Sequence, residues 1–470
     1  MVERLTYDDD LFLRMECVLG VPVVNQIVWR FDRPIPFDAL QAMWHLLAAG
    51  PIDRSVRRAR VPGARDSWTA ARTPADPVVL GPSVARAAID RWIEDEAAVR
   101  LDPVEGPVWR LSATAVEGGG TIVSLVGSHV VGDGGALTSA AASALAGHAI
   151  PEDFERVGLD DRDSVSARSR ADIVDGVGRI GAALSGAARA LGGAAAGTIR
   201  TRGGAAGTPS SVPNSSVPNS SAANTTDATV HHPRVMVAPE EGLWVPSTVV
   251  VDCLSADWSA AASSKGGSSN SLLVAVVLGI LTRSGRITAD ERIRVALPVS
   301  TRQAGDTRAN ATSGVSIHVD AGSAYRDDLG AIRAASKEAF RAQADRTVTT
   351  TFELLKPLMQ LLPDAIVARL AASGSAPLCL CSNLGSRGVA LRTIGGVEAA
   401  AVAMRSITQN TDVSLLRRTE GGISAWWNES GERATLCVTG LDPDRFPSKE
   451  HLRGLVEAEY DSWGLTPEFW

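Results

Sequence analysis

Residues 121–146, TIVSLVGSHVVGDGGALTSAAASALA, leave the backbone few choices. From 121 to 130 apolar, largely β-branched residues dominate, and alternation places Val123, Leu125, Gly127 and His129 on one face and Ile122, Ser124, Val126 and Ser128 on the other. Gly132, Gly134 and Gly135 stop the strand, and the Ala-rich run 136–146 starts a helix for which Asp133 is the natural N-cap. The segment therefore predicts a strand, a tight turn and a helix, with a titratable ring at the strand end. A neutral imidazole fixed by a strand accepts a proton near its unperturbed pKa of about 6.5, which suits a general base. The same residues also suit a plainer structure, in which His129 is a hydrogen-bonded core side chain and Asp133 is only a cap.

The strand before this one is predicted over 109–116, and Glu117-Gly-Gly-Gly120 between the two is a hairpin signal. Upstream, an extended segment at 25–31 precedes a helix at 38–49 with Leu40, Met43, Trp44 and Leu47 on its apolar face; a loop rich in Arg, Pro and Gly leads to a helix at 84–99. The basic run 54–60 reads as a solvated loop or, less simply, as a phosphate contact. At 171–202 the composition shifts to Ala and Gly, with Ile173, Val177, Ile180 and Leu184 at helical spacing. This is the element that offers a peripheral membrane or lipid-droplet contact, although Arg179, Arg189 and Arg200 make a sparse basic face. Residues 203–233, with the tandem SSVPNSSVPN, hold too few core-forming side chains to offset their ordering entropy and read as a disordered linker. The chain thus divides into 1–170, a connection at 171–235, and 236–470.

In the last part strands are expected at 247–253, 293–299, 314–319, 377–381, 397–405, 413–416, 422–427 and 434–438. Helices are expected at 272–283 behind a cap at Asn270, and at 329–343 and 449–463, with a helical region at 352–372. Both large parts mix strands and helices, which is an α+β pattern. The net charge of −7 argues against a nucleic-acid surface. The acidic N-terminus lacks the basic and apolar regions of a signal peptide, and five scattered cysteines suit reduced thiols, so a cytoplasmic location is expected. Cys379 and Cys381 share a strand face but lack metal-site partners, and no metal is expected. The N-x-S/T sequences, among them the one at Asn310, carry no weight without a secretion signal.

His129-Val-Val-Gly-Asp133-Gly134 resembles the HxxxDG motif of the CoA-dependent acyltransferase superfamily, which includes chloramphenicol acetyltransferase, nonribosomal condensation domains and wax ester synthase/diacylglycerol acyltransferases. Three further segments fall in the same order as in that superfamily: Gly106-Pro107-Val108-Trp109-Arg110 resembles its PLW segment, Leu297-Pro-Val-Ser300-Thr301-Arg302 its PVSxR strand, and Ser382-Asn383-Leu384-Gly385 its SN-x-G segment. Ser128 stands where many relatives carry a first histidine, Asn270-Ser271 stands where wax ester synthases have an ND pair, and no DFGWG motif is found.

The resemblance, nearest to the wax ester synthase branch, implies two chloramphenicol-acetyltransferase-like subdomains enclosing a channel. His129 would be the general base, Asp133 would be structural and paired with Arg302, and Gly134 would keep the channel open. Ser300, Thr301 and Asn383 are the oxyanion candidates, and Trp109 is assigned to the core. The implied reaction moves an acyl group from acyl-CoA, a substrate rather than a cofactor, to a hydroxyl acceptor: a long-chain alcohol, diacylglycerol or lipid-like alcohol. Two other readings stay open: an amide-forming or carrier-protein-dependent condensation enzyme, and a non-catalytic module that binds lipid or a carrier protein.

Overall fold

Gly118, Gly119 and Gly120 all take positive φ, from +86° to +111°, and turn Trp109–Ala115 back onto Thr121–Ser128 with Ala115 opposite Thr121. A Cβ on Gly120 would run into the carbonyl of Phe31, so the turn also fixes how closely the neighbouring strand approaches. In the computed structural model, which describes residues 3–150, 165–200, 244–303, 306, 308–345, 351–371 and 376–470, this hairpin is the middle of a five-stranded sheet. Its order is Ala401–Thr408, Val23–Phe31, Thr121–Ser128, Trp109–Ala115, Val79–Leu80.

A second sheet has seven strands in the order Glu468–Phe469, Thr248–Leu254, Arg433–Gly440, Ile423–Ser430, Cys379–Asn383, Arg292–Ser300, Thr312–Asp320. Cys379–Asn383 runs parallel to both of its neighbours, so the sheet is mixed. Behind it lies Ser269–Arg283, whose residues from Ser271 to Leu281 are all buried, as the unbroken apolar run LLVAVVLGIL requires. Its cap is Ser268, which accepts from the Ser271 N–H in a capping box, and not Asn270; the capping oxygen must lie three residues before the donated N–H, and Ser268 fills that place. A side chain at Gly279 would overlap the Glu459 carboxylate of Lys449–Ser462, so this glycine sets the distance between the two helices. Among the described residues no single helix is long and apolar enough to cross a bilayer.

Another expectation changes. Residues 413–416 are not a strand but the start of the helix Val413–Thr419: the Asp412 carboxylate accepts from the Leu415 N–H at 2.6 Å, and the buried Val413 and Leu416 lie one turn apart. The last part of the chain also contributes a strand to the first sheet. Ala401–Thr408 pairs with Val23–Phe31, from Val23 opposite Thr408 to Arg30 opposite Ala401. Trp29 reinforces the crossing by donating its indole N–H to the Leu391 carbonyl at 2.7 Å. The helical region expected at 352–372 consists of two helices, Thr351–Gln360 and Asp364–Ala371, with Pro363 at the break.

Val165–Arg200 is a helix that docks on the basic loop before residue 66. Asp172 accepts from Arg4 at 2.6 Å and from the Arg60 N–H at 3.0 Å, and Asp175 pairs with Arg65 at 2.6 Å. Its expected stripe of Ile173, Val177, Ile180 and Leu184 faces outward, each side chain more than half exposed. The linker expected at 203–233 lies outside the described residues.

Candidate functional site

The turn after Thr121–Ser128 is held from both large parts of the chain. The His129 N–H donates to the Val23 carbonyl at 2.8 Å, which prolongs the strand pairing by one residue, and the Asp133 N–H donates to the Ala309 carbonyl at 3.0 Å. Asp133 caps Gly134–Leu145 through the Ala136 N–H at 2.7 Å, as its spacing predicts. Its second oxygen accepts from the Ala311 N–H at 2.8 Å and the Thr312 hydroxyl at 2.9 Å. Arg302 completes the shell at 3.2 Å, and also donates to the carbonyls of Asp306, Arg308 and Ala309. The Asp133 and Arg302 side chains are only 4% and 5% exposed, so this is a buried ion pair and not a surface one. Burial alone would push the Asp133 carboxyl up. Arg302 and the donated hydrogen bonds outweigh it and hold the group below its ordinary value.

His129 is fixed by residues that its own sequence neighbourhood does not reveal. The Asn310 amide nitrogen donates to Asp9 Oδ1 at 3.0 Å and to the carbonyls of His129 and Val130 at 3.1 and 3.2 Å. The Asn310 oxygen is thereby turned toward His129 Nδ1, 3.0 Å away. Because that oxygen only accepts, Nδ1 carries the hydrogen and Nε2 is left as the basic nitrogen. Phe12 stacks on the imidazole with ring centroids 3.7 Å apart. Burial pushes the imidazole pKa down, against upward contributions from Asp133, the backbone and Asn310, and the ring stays neutral at pH 7.

Phe12 and Asp9 belong to Tyr7–Cys17, a helix that opens on a capping box between Thr6 and Asp9. The T-x-x-D spacing was the available signal for it. Asn310 is 2% exposed, and its N-x-T sequence serves this network instead of presenting a glycan acceptor.

The ring lines a cavity of about 680 Å³, within the usual range for small-molecule sites. Asp133, Gly134, Ser300 and Asn383 line it as well, and Arg302 lies directly behind it on Asp133. A Cβ on Gly134 would meet nothing within 4 Å. The Asn383 oxygen accepts from the Gly385 N–H at 2.8 Å, which leaves the amide nitrogen as a donor. Thr301 turns its hydroxyl to the Ala311 carbonyl instead, and Trp109 is fully buried in the core with its N–H on Asp53. Cys379 and Cys381 are packed in the second core with sulfurs 3.8 Å apart, and among the described residues no cluster of His, Cys, Asp and Glu is arranged to hold a metal ion.

No protein-family profile matches the sequence, and no curated protein matches it. Solved structures do resemble the fold along nearly the whole chain. The first condensation domain of the calcium-dependent antibiotic synthetase, in complex with a substrate analogue, is 14% identical with a TM-score of 0.53, over 98% of this chain and 96% of that one. The condensation domain of the Monacolin K polyketide synthase MokA is 13% identical with a TM-score of 0.54, over 98% and 96%. TRI101 of F. sporotrichioides, complexed with coenzyme A and T-2, is 11% identical with a TM-score of 0.55, over all of both chains. The chain has the two-subdomain α+β fold shared by condensation domains and TRI101.

Proposed function

We propose that this chain transfers an acyl group from a thioester, most simply an acyl-CoA, to a hydroxyl acceptor of alcohol or lipid-like type, with His129 as general base. The observation that carries the reading is the commitment of His129 Nδ1 to Asn310, which leaves a basic Nε2 on a ring at the cavity wall. Nε2 takes the proton of the acceptor hydroxyl while its oxygen attacks the thioester carbonyl. The tetrahedral intermediate then collapses, the C–S bond breaks, and the leaving thiolate takes the proton back from the imidazolium. Ser300 and Asn383 are the side-chain donors for the developing oxyanion, and Asp133 and Arg302 act through the loop they hold. The chemistry draws on the donor thioester and needs no further cofactor. The outward row from Ile173 to Leu184 is in keeping with a lipid-like acceptor reached by peripheral contact.

A second reading, a carrier-protein-bound donor with an amine acceptor, is favoured by the likeness to two condensation domains. A thiol-release assay with acyl-CoAs of several chain lengths and a panel of alcohols, glycerides and amines separates the readings. Acceptor-dependent CoA release that falls steeply in His129→Ala is the expected result. Silence across the panel, from a folded protein that still binds acyl chains, would leave the carrier-bound donor or a binding module.

The pH dependence follows from the lowered imidazole pKa. The rate constant kcat/KM should be level at neutral pH and fall only on the acid side of about 6.5. Asn310→Ala removes an acceptor that favours the protonated ring, so the acid limb should move to still lower pH. The rate should also drop by roughly 10-fold or more, as part of the 10²–10⁴ that a positioned base contributes. An unmoved limb would take Asn310 out of the mechanism.

A further inference from the structure

Among the described residues three arginines are buried as whole residues: Arg30, Arg54 and Arg405. Arg30 reaches the Asp252 carboxylate at 3.3 Å and Arg54 reaches Glu3 at 3.7 Å. Arg405 reaches none. It is 5% exposed, its Nε donates to the Gln26 side-chain oxygen at 2.8 Å and its Nη2 to the Ile93 carbonyl at 3.3 Å, both neutral acceptors. Among the described residues no carboxylate comes within ion-pair distance of it. The acids that act on it from further off, Glu94 and Asp90, are already shared by Lys449 Nζ at 3.1 and 2.9 Å. A guanidinium taken out of water without a counter-charge costs free energy, which an anion brought to it would offset.

Arg405 also lines the cavity that holds His129. It is held in place before any ligand arrives, because Gln26 is itself tied to Ser124 Oγ and the Ile93 carbonyl, each at 2.9 Å. Thr248 and Thr439 of the second sheet, hydroxyls 3.0 Å apart, line the same space, as does Ser424. The register places Arg405 opposite Gln26, whereas the His129 N–H meets Val23 on that same strand. Three residues along and two strands across amount to roughly 14 Å between the Cα atoms. Gln26 also pairs with Val126, three residues before His129, so the two side chains leave opposite faces of the sheet, and a molecule that meets both follows the cavity around the strand end lined by Val23, Asn25 and Thr408.

We infer that Arg405 is the recognition point for an anionic group, a carboxylate or a phosphate monoester, on a molecule that enters this cavity. Under the acyl-transfer reading, on which this assignment to a substrate rests, the anion belongs to the substrate whose reactive end meets His129. The planar guanidinium, with two of its nitrogens already engaged, offers its remaining N–H groups as a preset fork for such an oxyanion.

Calorimetric titration of the full chain with decanoate, decyl phosphate and decanol tests the site without turnover. The wild type is expected to bind one or both anions at least ten-fold more tightly than decanol, the ratio between the two naming the favoured group, and Arg405→Met is expected to erase the preference. Equal binding of anion and alcohol by the wild type, no binding of any probe, or a preference that survives in Arg405→Met would overturn the inference. Circular dichroism checks the variant; should it not fold, Arg405→Lys, which keeps the charge without the fork, should show a reduced preference, and the wild-type arm decides in any case. An anion preference in a protein silent for CoA release would retain the site and remove the acyl-CoA reading. CoA release with neutral alcohols and no anion preference would do the reverse.

Discussion

Arg302→Met should lower the unfolding free energy by about 3–5 kcal/mol, because it leaves the Asp133 carboxylate buried with its counter-charge gone. The substitution also strips donors from the carbonyls of Asp306, Arg308 and Ala309, so the loop that carries Asn310 to His129 loosens together with the ion pair. Urea denaturation of wild type and variant measures the loss, and a change below about 1 kcal/mol, the value of an exposed pair, would show that the burial has been misjudged. The pH dependence adds a sign. Asp133 has a folded pKa below its unfolded value of about 3.9, so its contribution is present above that value and is lost as the pH falls through the folded pKa. His129 works in the same direction at higher pH: its folded pKa is depressed, so stability falls as the unfolded imidazole protonates below about 6.5. In Arg302→Met the carboxylate limb should begin at higher pH than in the wild type.

The second large effect separates proton transfer from positioning. His129→Ala should reduce kcat/KM by 10²–10⁴-fold, the usual contribution of a general base, and leave a measurable remainder. Gly134→Trp should leave less. Holding two reactants in an attack geometry is worth about 7–11 kcal/mol, and a large side chain there denies them the space. Gly134 suits this test because a Cβ at that position meets nothing within 4 Å, so the indole enters the cavity and does not strain the helix start. Matched melting temperatures with a larger loss in Gly134→Trp are the expected pattern. Equal and complete loss in both variants would mean that the histidine does more than accept a proton.

What could be read from the sequence was local. The strand through Thr121–Ser128 and the helix Gly134–Leu145 follow from alternation, glycines and a cap, all within two dozen residues, and they place His129 and Asp133 correctly relative to each other. Arg302 was reached only through resemblance, since nothing near it in sequence announces a partner 169 residues away. Asn310 and Asp9 were not reached at all. They lie 181 residues after and 120 residues before His129, and the bonds that give them a role exist only once the 302–312 loop closes on the first helix. Residues 413–416 failed for a smaller reason: in so short an apolar run the cap outweighs strand propensity, and Asp412 decides for the helix. The strand Ala401–Thr408 was visible as a strand, but its sheet was not, because pairing partners are set by tertiary closure rather than by the pattern of either strand.

That crossing strand sets a timetable for biosynthesis. Val23–Phe31 emerges from the ribosome well before its outer partner Ala401–Thr408, which lies about 370 residues further along the chain. At 5–20 residues per second, that stretch takes about 20–80 s. Throughout that interval one edge of the first sheet, with its row of N–H and C=O groups, is open to any other extended chain. A fragment that stops at residue 170 keeps that edge open permanently, so the first part of this protein is expected to aggregate when made alone, and the two parts are better regarded as one cooperative folding unit than as modules to be exchanged.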